Sequence, residues 1–474
     1  MRRTITVVFV IASVLVGCDS QSTLMESMEA PSPGAVLLGK KAAEHDIASS
    51  YIIVGKGNKL PKDLKQKVEA AGGRLTGSIE KLGMAFATSA RPAFPTEMSR
   101  VADVAPDLLV THAPVREAAF SEASLPDVEP LEGAGADEPF FILQWGMNAI
   151  HAPQAWDAGV RGQGVIVAVL DEGFGLNHPD VPYRTDLAKS FACWEEIDGE
   201  IFTSNDPNDC EPPNYLLPDD FSHGSHVAGI IAAKDDASGI IGVAPDAEIM
   251  PVKVLSEVLG GGTLSWVMQG ILYATDSGAD VINLSLGILT SLGQGKGTND
   301  VAHALNIFKM VIDYAVKNGV TVVVAAGNDE LNADGNGPGR ILPGDIKNTI
   351  SISATGPVGW LFDMATNLNR PASYTNYGTS LVDFAAPGGD FTLFPNAGFE
   401  FDMVLSTGAS GYYFSAGTSM AAPHAAGVAA LIISENGGSM KPVHVEQQMK
   451  RRALDLGKPG KDDYYGHGLI TTGY

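Results

Sequence analysis

Positive charge is scarce in this chain: 31 Lys and Arg stand against 55 Asp and Glu, a formal net charge of −24 over 474 residues. Phosphate backbones are held by clustered Lys and Arg, so nucleic acid is excluded as a partner. The acidic excess fits a solvated, soluble exterior, and also cation binding or a salty medium. Cysteine is nearly absent, with three in all. Two of them, Cys193 and Cys210, lie in a polar stretch; they pair in an oxidising compartment and stay separate surface thiols in a reducing one. The apolar run at the N-terminus, Ile5 to Val16, is too short to span a bilayer comfortably. No internal repeat and no low-complexity tract is present. His223 and His226 stand three apart, but the Glu of an H-E-x-x-H zinc pattern is missing, so zinc is not expected. What remains is ordinary for a large folded protein: 45% hydrophobic residues, 18% charged, and 54 Gly for tight turns and close backbone approaches.

Residues 1–17 read as an export signal. Arg2 and Arg3 give the positive start, and the apolar run ends in Leu15-Val16-Gly17-Cys18. That tetrapeptide resembles the bacterial lipobox, which implies a lipid on Cys18, attachment of an exported protein to a membrane face, and, with Asp19 following, retention at the inner membrane. An ordinary secretory signal, giving a secreted protein, is the alternative. Residues 18–49 are small and polar, a tether. Residues 50–111 alternate strand-like Tyr51–Val54 and Ala85–Thr88 with helical spacing over Leu60–Ala71 and a short amphipathic piece from Met98 to Val101. They predict a small α+β unit. Residues 112–137 are acidic and rich in small residues and Pro, an exposed linker. Residues 138–474 form the large domain. There, apolar strands at Val165–Leu170, Ile249–Val254, Val281–Leu284, Val320–Ala325 and Thr349–Ala354 alternate with helical stretches. Such alternation predicts an α/β fold, a mostly parallel doubly wound sheet with helices on both faces.

Three segments carry chemistry. Val167 to Gly173 is a buried strand that delivers Asp171 at its C-terminal end, where ligands gather in open parallel sheets. His223 opens the small-residue helix His223-Gly224-Ser225-His226-Val227-Ala228-Gly229. Ser419 stands where Gly417-Thr418-Ser419-Met420-Ala421-Ala422-Pro423-His424 turns into another such helix. Each alone is a common turn, cap or packing residue. Together, in the order Asp, His, Ser, they resemble the subtilisin-like serine peptidases, the subtilase family. The resemblance runs from Glu138 to the end, and residues 50–111 look like that family's inhibitory propeptide.

The resemblance implies a serine endopeptidase with Asp171, His223 and Ser419 as its triad, acting on polypeptides through an acyl-enzyme and needing no organic cofactor. Ser419 is then the nucleophile, His223 the base and later the acid, and Asp171 the group that orients the imidazole. Asn328, after Val322-Val323-Val324-Ala325-Ala326-Gly327, maps to the oxyanion donor. Ser285, Leu286 and Gly287 map to one substrate-lining strand, and Gly260, Gly261 and Gly262 to the opposing one, where a peptide adds as an extra strand. A flexible loop is the alternative for the glycines. A structural calcium ion is implied, held by the side chains of Asp180 and Asp236, the carbonyls of Lys234, Ser238 and Ile240, and Glu138. An acidic surface turn is the alternative. The precursor would use its propeptide as folding aid and inhibitor and cut itself in the linker.

Three features depart from the family pattern. The residue after the triad Asp is usually Ser or Thr, and here it is Glu172. An added carboxylate beside Asp171 and His223 favours a protonated ring, which predicts activity shifted to higher pH relative to a Glu172→Ser variant. The interval between Asp171 and His223 is long and holds both loop cysteines, which reads as a disulfide-tied loop near the cleft. Ile341 lies where the family often has a small residue, predicting a narrowed first pocket. Two other readings compete: a catalytically silent fold used for binding, and a nucleotide site at Gly162-Gln163-Gly164. The second fails because those glycines precede the strand instead of linking strand to helix.

Overall fold

The computed structural model describes residues 50–112, 116–121, 133, 135–197, 200–204, 206–216, 221–289, 298–334 and 341–474. The export signal, the tether, Cys18 and most of the linker lie outside these residues.

The N-terminal unit folds as β1 (Ser50–Val54), α1 (Leu64–Ala70), β2 (Arg74–Ile79), β3 (Met84–Thr88), α2 (Phe94–Met98) and β4 (Asp103–Pro106). Its four strands form an antiparallel sheet in the order β2-β3-β1-β4. The expected strands β1 and β3 are its centre. The pattern hid β2, because a register shift between Leu75 and Gly77 breaks its alternation. The short helix also comes earlier than Met98: Pro95, in its first turn, sets the start at Phe94.

The large domain is built on five parallel strands, β5 (Ile166–Asp171), β6 (Glu248–Lys253), β7 (Val281–Leu284), β8 (Thr321–Ala325) and β9 (Ile350–Gly356), in the spatial order β9-β8-β7-β5-β6. Each lies within a residue or two of its expected place. Their Val- and Ile-rich runs suit strands covered on both faces. Val167 and Val169 point into a core shared with α3 (His223–Ala232) and α6 (Thr418–Glu435); Ala168 and Leu170 point to the opposite face, covered by α4 (Leu264–Asp276) and α5 (Thr298–Lys317). Lys189–Ser190 pairs parallel with β6, Phe384–Pro387 parallel with β9, and Arg370–Pro371 antiparallel at the far edge.

The N-terminal sheet packs on α4 and α5, with Ile52, Phe86 and Leu108 in the same apolar cluster as Val267, Met268 and Phe308. Polar contacts fix the fit. The buried Asp107 carboxylate accepts from the Ser265 N–H (3.0 Å) and hydroxyl (2.5 Å) at the start of α4, where a negative charge also suits the helix dipole. Lys81 pairs with Asp276, and His303 meets Asp103 at 2.7 Å.

The segment expected to be an exposed linker begins as something else. Arg116–Ala119 is a strand paired antiparallel with Tyr412–Ala416. Backbone pairing with the large domain was invisible in a stretch whose composition is that of a loop.

Candidate active site

Asp171 ends β5 and is fully buried. Its Oδ1 accepts from the Glu172 N–H at 2.8 Å and meets His223 Nδ1 at 2.8 Å. His223 is the first residue of α3. Ser222 caps that helix by accepting from the Ser225 N–H (3.1 Å), and its hydroxyl donates to Gly173 O (2.9 Å), tying the helix to the loop after Asp171. The approach needs glycine at 224, where a Cβ would stand 2.4 Å from Gly173 O.

Ser419 is the second residue of α6. Its Oγ lies 3.4 Å from Ser285 O, a weak contact, while Ser285 Oγ donates to Ser419 O at 2.8 Å. Asn328 follows β8 through Gly327. Its Oδ1 accepts from the Thr418 N–H (2.8 Å) and hydroxyl (2.7 Å), which fixes the amide orientation. Among the described residues, Asn328 Nδ2 and His223 Nε2 are both buried without a hydrogen-bond partner. A loosely held hydroxyl, an imidazole nitrogen with no partner and an oriented, unused N–H donor are the parts that acyl transfer to a serine requires.

The subtilase family model matches residues 162–468. The chain belongs to the subtilase family. It is a subtilisin-like serine peptidase. It is 34% identical over 334 residues to an intracellular serine protease of Paenibacillus polymyxa, covering 69% of this chain and 84% of that one. It is 31% identical over 366 residues to the minor extracellular protease Epr of Bacillus subtilis, covering 77% of this chain and 46% of that one. Among solved structures, the epidermin leader peptide processing serine protease of Staphylococcus aureus superposes with a TM-score of 0.68 over 90% of this chain and 96% of that one; at 22% identity it speaks for the fold.

In this subtilase the two expected substrate strands are already paired, with the chain's own residues. Gly262 and Thr263 pair antiparallel with Val110 and Leu109. Gly287 exchanges both backbone hydrogen bonds with Thr111, at 2.8 and 3.2 Å. Gly261 is needed as glycine, since a Cβ would stand 2.8 Å from Val110 O. Gly260, in the left-handed region at φ +63°, forms the turn before it. Ser285 and Leu286 are buried in the wall that ends at Gly287. The next residue, His112, lies flat on His223, with ring centroids 5.0 Å apart and an interplanar angle of 17°.

Glu172 is buried beside this stack. One oxygen meets His112 Nε2 at 2.9 Å, and the other accepts from the His223 backbone N–H at 3.4 Å. The side chain thus engages the backbone of His223 and the ring of His112. Burial works against charge on Glu172, yet His112, His223 and Lys253 pull it down to about 2. Burial likewise opposes a charged His112, and the Glu172 carboxylate, followed by Asp171 and Glu117, raises it to about 10. Beneath them, the buried Lys253 ammonium donates to Glu172 O and pairs with Glu211 at 3.1 Å. Burial and the Glu172 charge push the nearby Glu257 up to about 9. His112, Lys253, Glu211 and Glu257 were not singled out from the sequence. They sit in no motif, and only the fold collects them.

Cys193 and Cys210 are joined in a disulfide. It closes a hairpin of Trp194–Ile197 and Glu200–Thr203, and Arg74 of the N-terminal unit pairs with Glu195 and donates to Thr203 O at 3.3 Å. Ile341 is buried in a small cluster with Ala326, Leu381 and Val382. His226 Nε2 meets Tyr413 O at 2.9 Å, and burial pulls its pKa down to about 3, so it is a neutral packing residue.

The residues expected to bind calcium converge on one loop. Glu138 accepts from the Asp236 and Ala237 N–H groups (both 2.6 Å) and from that of Ser238 (2.7 Å). Asp180 Oδ2 accepts from the Ile240 N–H (3.3 Å) and the Tyr412 hydroxyl (3.1 Å). Asp180 Oδ1 is buried and has no partner among the described residues. Burial pushes Asp180 up to about 7, with Asp236 and Glu138 adding to the rise. Among the described residues no three acidic, His or Cys side chains form a metal site by themselves, so loop carbonyls, including those of Lys234, Ser238 and Ile240, would have to complete one. An unpartnered carboxylate oxygen amid excess negative charge fits a hard cation. The Lys234 ammonium donates to Pro179 O, and the oxygens of Glu138 are occupied shaping the loop.

Proposed function

We propose that this subtilase is an endopeptidase made as an exported precursor, and that residues 50–112 are its propeptide. The observation that carries this is the pairing of Leu109–Thr111 with Gly262, Thr263 and Gly287, which fills the cleft as an added strand with His112 over His223. A substrate would add in the same way. His223 Nε2 takes the Ser419 proton as Oγ attacks the scissile carbonyl. Asp171 holds the ring and stabilises its charged form. Asn328 Nδ2 donates to the oxyanion, and the charged imidazole then protonates the leaving amine.

Described residues His112 and Arg116 flank the site, the latter pairing with Ala416, close to Ser419 in sequence. The first cut therefore falls between them, at the start of the expected linker. Export rests on the N-terminal segment and agrees with the Cys193–Cys210 disulfide; the relatives include both an intracellular and an extracellular protease. A lipid on Cys18 would sit on the propeptide side of the cut, so that processing separates the peptidase from its anchor. Mass spectrometry of the mature protein tests this reading. The expected new N-terminus lies within residues 113–116. An enzyme that is active with residues 50–112 still attached would overturn it.

Calcium is proposed at the Asp180 loop, with Asp180 and Asp236 as side-chain ligands, carbonyls of Lys234, Ser238 and Ile240, and Glu138 bracing the loop. The ion would neutralise buried charge and stiffen the scaffold. Chelation is expected to lower Tm by about 5–10 °C, reversed by added Ca²⁺, as for loss of a ligand worth a few kcal/mol. An unchanged Tm would remove calcium from the proposal.

A further inference from the structure

We propose that Glu172 makes this enzyme selective for a cationic residue at the substrate position that stacks on His223, the second residue before the scissile bond. The inference rests on the peptidase reading above and adds the substrate class. In the strand that fills the cleft, Thr111 is locked to Gly287 and His112 covers His223; a substrate lying the same way would present its next residue to Ser419. The side chain over His223 therefore faces Glu172 directly, and His112 meets it at 2.9 Å.

The surroundings are built for a cation. Glu172, Asp171 and Glu211 gather there against one buried Lys, Lys253, whose ammonium is already engaged by Glu211 and the Glu172 carbonyl. Glu257 Oε1 is buried without a partner among the described residues. A neutral side chain over His223 leaves the Glu172 carboxylate buried and unpaired, which is costly. A Lys, Arg or protonated His supplies the missing charge. The residue type matters: Ser or Thr, the usual occupants of this position in the family, carry no charge to select for one.

Matched peptides differing only at that position, Lys against norleucine and Arg against citrulline, read the selectivity of the mature enzyme. A charge-assisted hydrogen bond of this kind predicts a kcat/KM ratio of about 10–100 in favour of the cation. In Glu172→Gln the ratio is expected to fall to within about 3-fold of unity, and in Glu172→Asp to lie between the two. A wild-type ratio near unity, or one that survives in Glu172→Gln, would overturn the proposal. Fluorophosphonate uptake measured in parallel separates the two levels: no uptake and no cleavage of any peptide by the wild-type enzyme would overturn the peptidase reading itself.

Discussion

Replacing Ser419 by Ala is expected to leave the precursor at full length and to lower kcat on peptide substrates by about 10⁶-fold. The substitution removes a single oxygen from a buried position at the start of α6. The Asp171–His223 contact, the Asn328 amide and the added strand at Leu109–Thr111 do not depend on it, so the protein should fold and keep its propeptide in place. What is lost is the hydroxyl assigned as the nucleophile. Residual hydrolysis, from binding and oxyanion stabilisation alone, should lie about 10³–10⁴-fold above the uncatalysed rate. Intact mass over time reports the processing, and steady-state kinetics with propeptide supplied or removed in trans reports the turnover. A Ser419→Ala precursor that still shortens itself at the wild-type rate would place the nucleophile elsewhere.

The second large effect belongs to Asn328. Thr418 holds Oδ1 through two hydrogen bonds, which leaves Nδ2 as a fixed donor without a partner among the described residues. A donor that is satisfied only when an oxyanion forms lowers the barrier without tightening substrate binding. Asn328→Leu, close in volume, is therefore expected to reduce kcat by about 10²–10³-fold with KM changed by less than about 3-fold. It also strands the Thr418 N–H, so stability should drop by about 1–3 kcal/mol. Kinetics are to be read at a temperature where the variant is fully folded. An effect confined to KM would mean that the amide binds substrate and transition state alike.

The two levels of organisation were not equally legible. The strands of the large domain announced themselves, because Val- and Ile-rich runs of strand length bounded by turns have few other uses. Asp171, His223, Ser419 and Asn328 were legible for a different reason: each lies in a long local motif, and their order restricts the interpretation further. The segments around Asp180 and Asp236 stood out for the same reason, and the structure gives Glu138 three backbone N–H groups to hold. What escaped was everything that exists only after distant segments meet. Leu109–Thr111 reads as the end of one unit and Arg116–Ala119 as part of a linker, yet both pair as strands once the large domain offers them edges. Glu172 was conspicuous as a departure, and its expected partner was the ring of His223. Its observed partners are the His223 backbone and His112, a residue that no local pattern connects to it. Lys253, Glu211 and Glu257 belong to no motif in the sequence and are buried together under the cleft.

Fluorophosphonate labelling of the processed protein, followed by peptide mass mapping, puts the triad to the most direct test. The adduct is expected on Ser419 alone and should be absent when His223 is replaced by Ala. An adduct on a different residue, or none on folded and processed protein, would contradict the assignment of Asp171, His223 and Ser419.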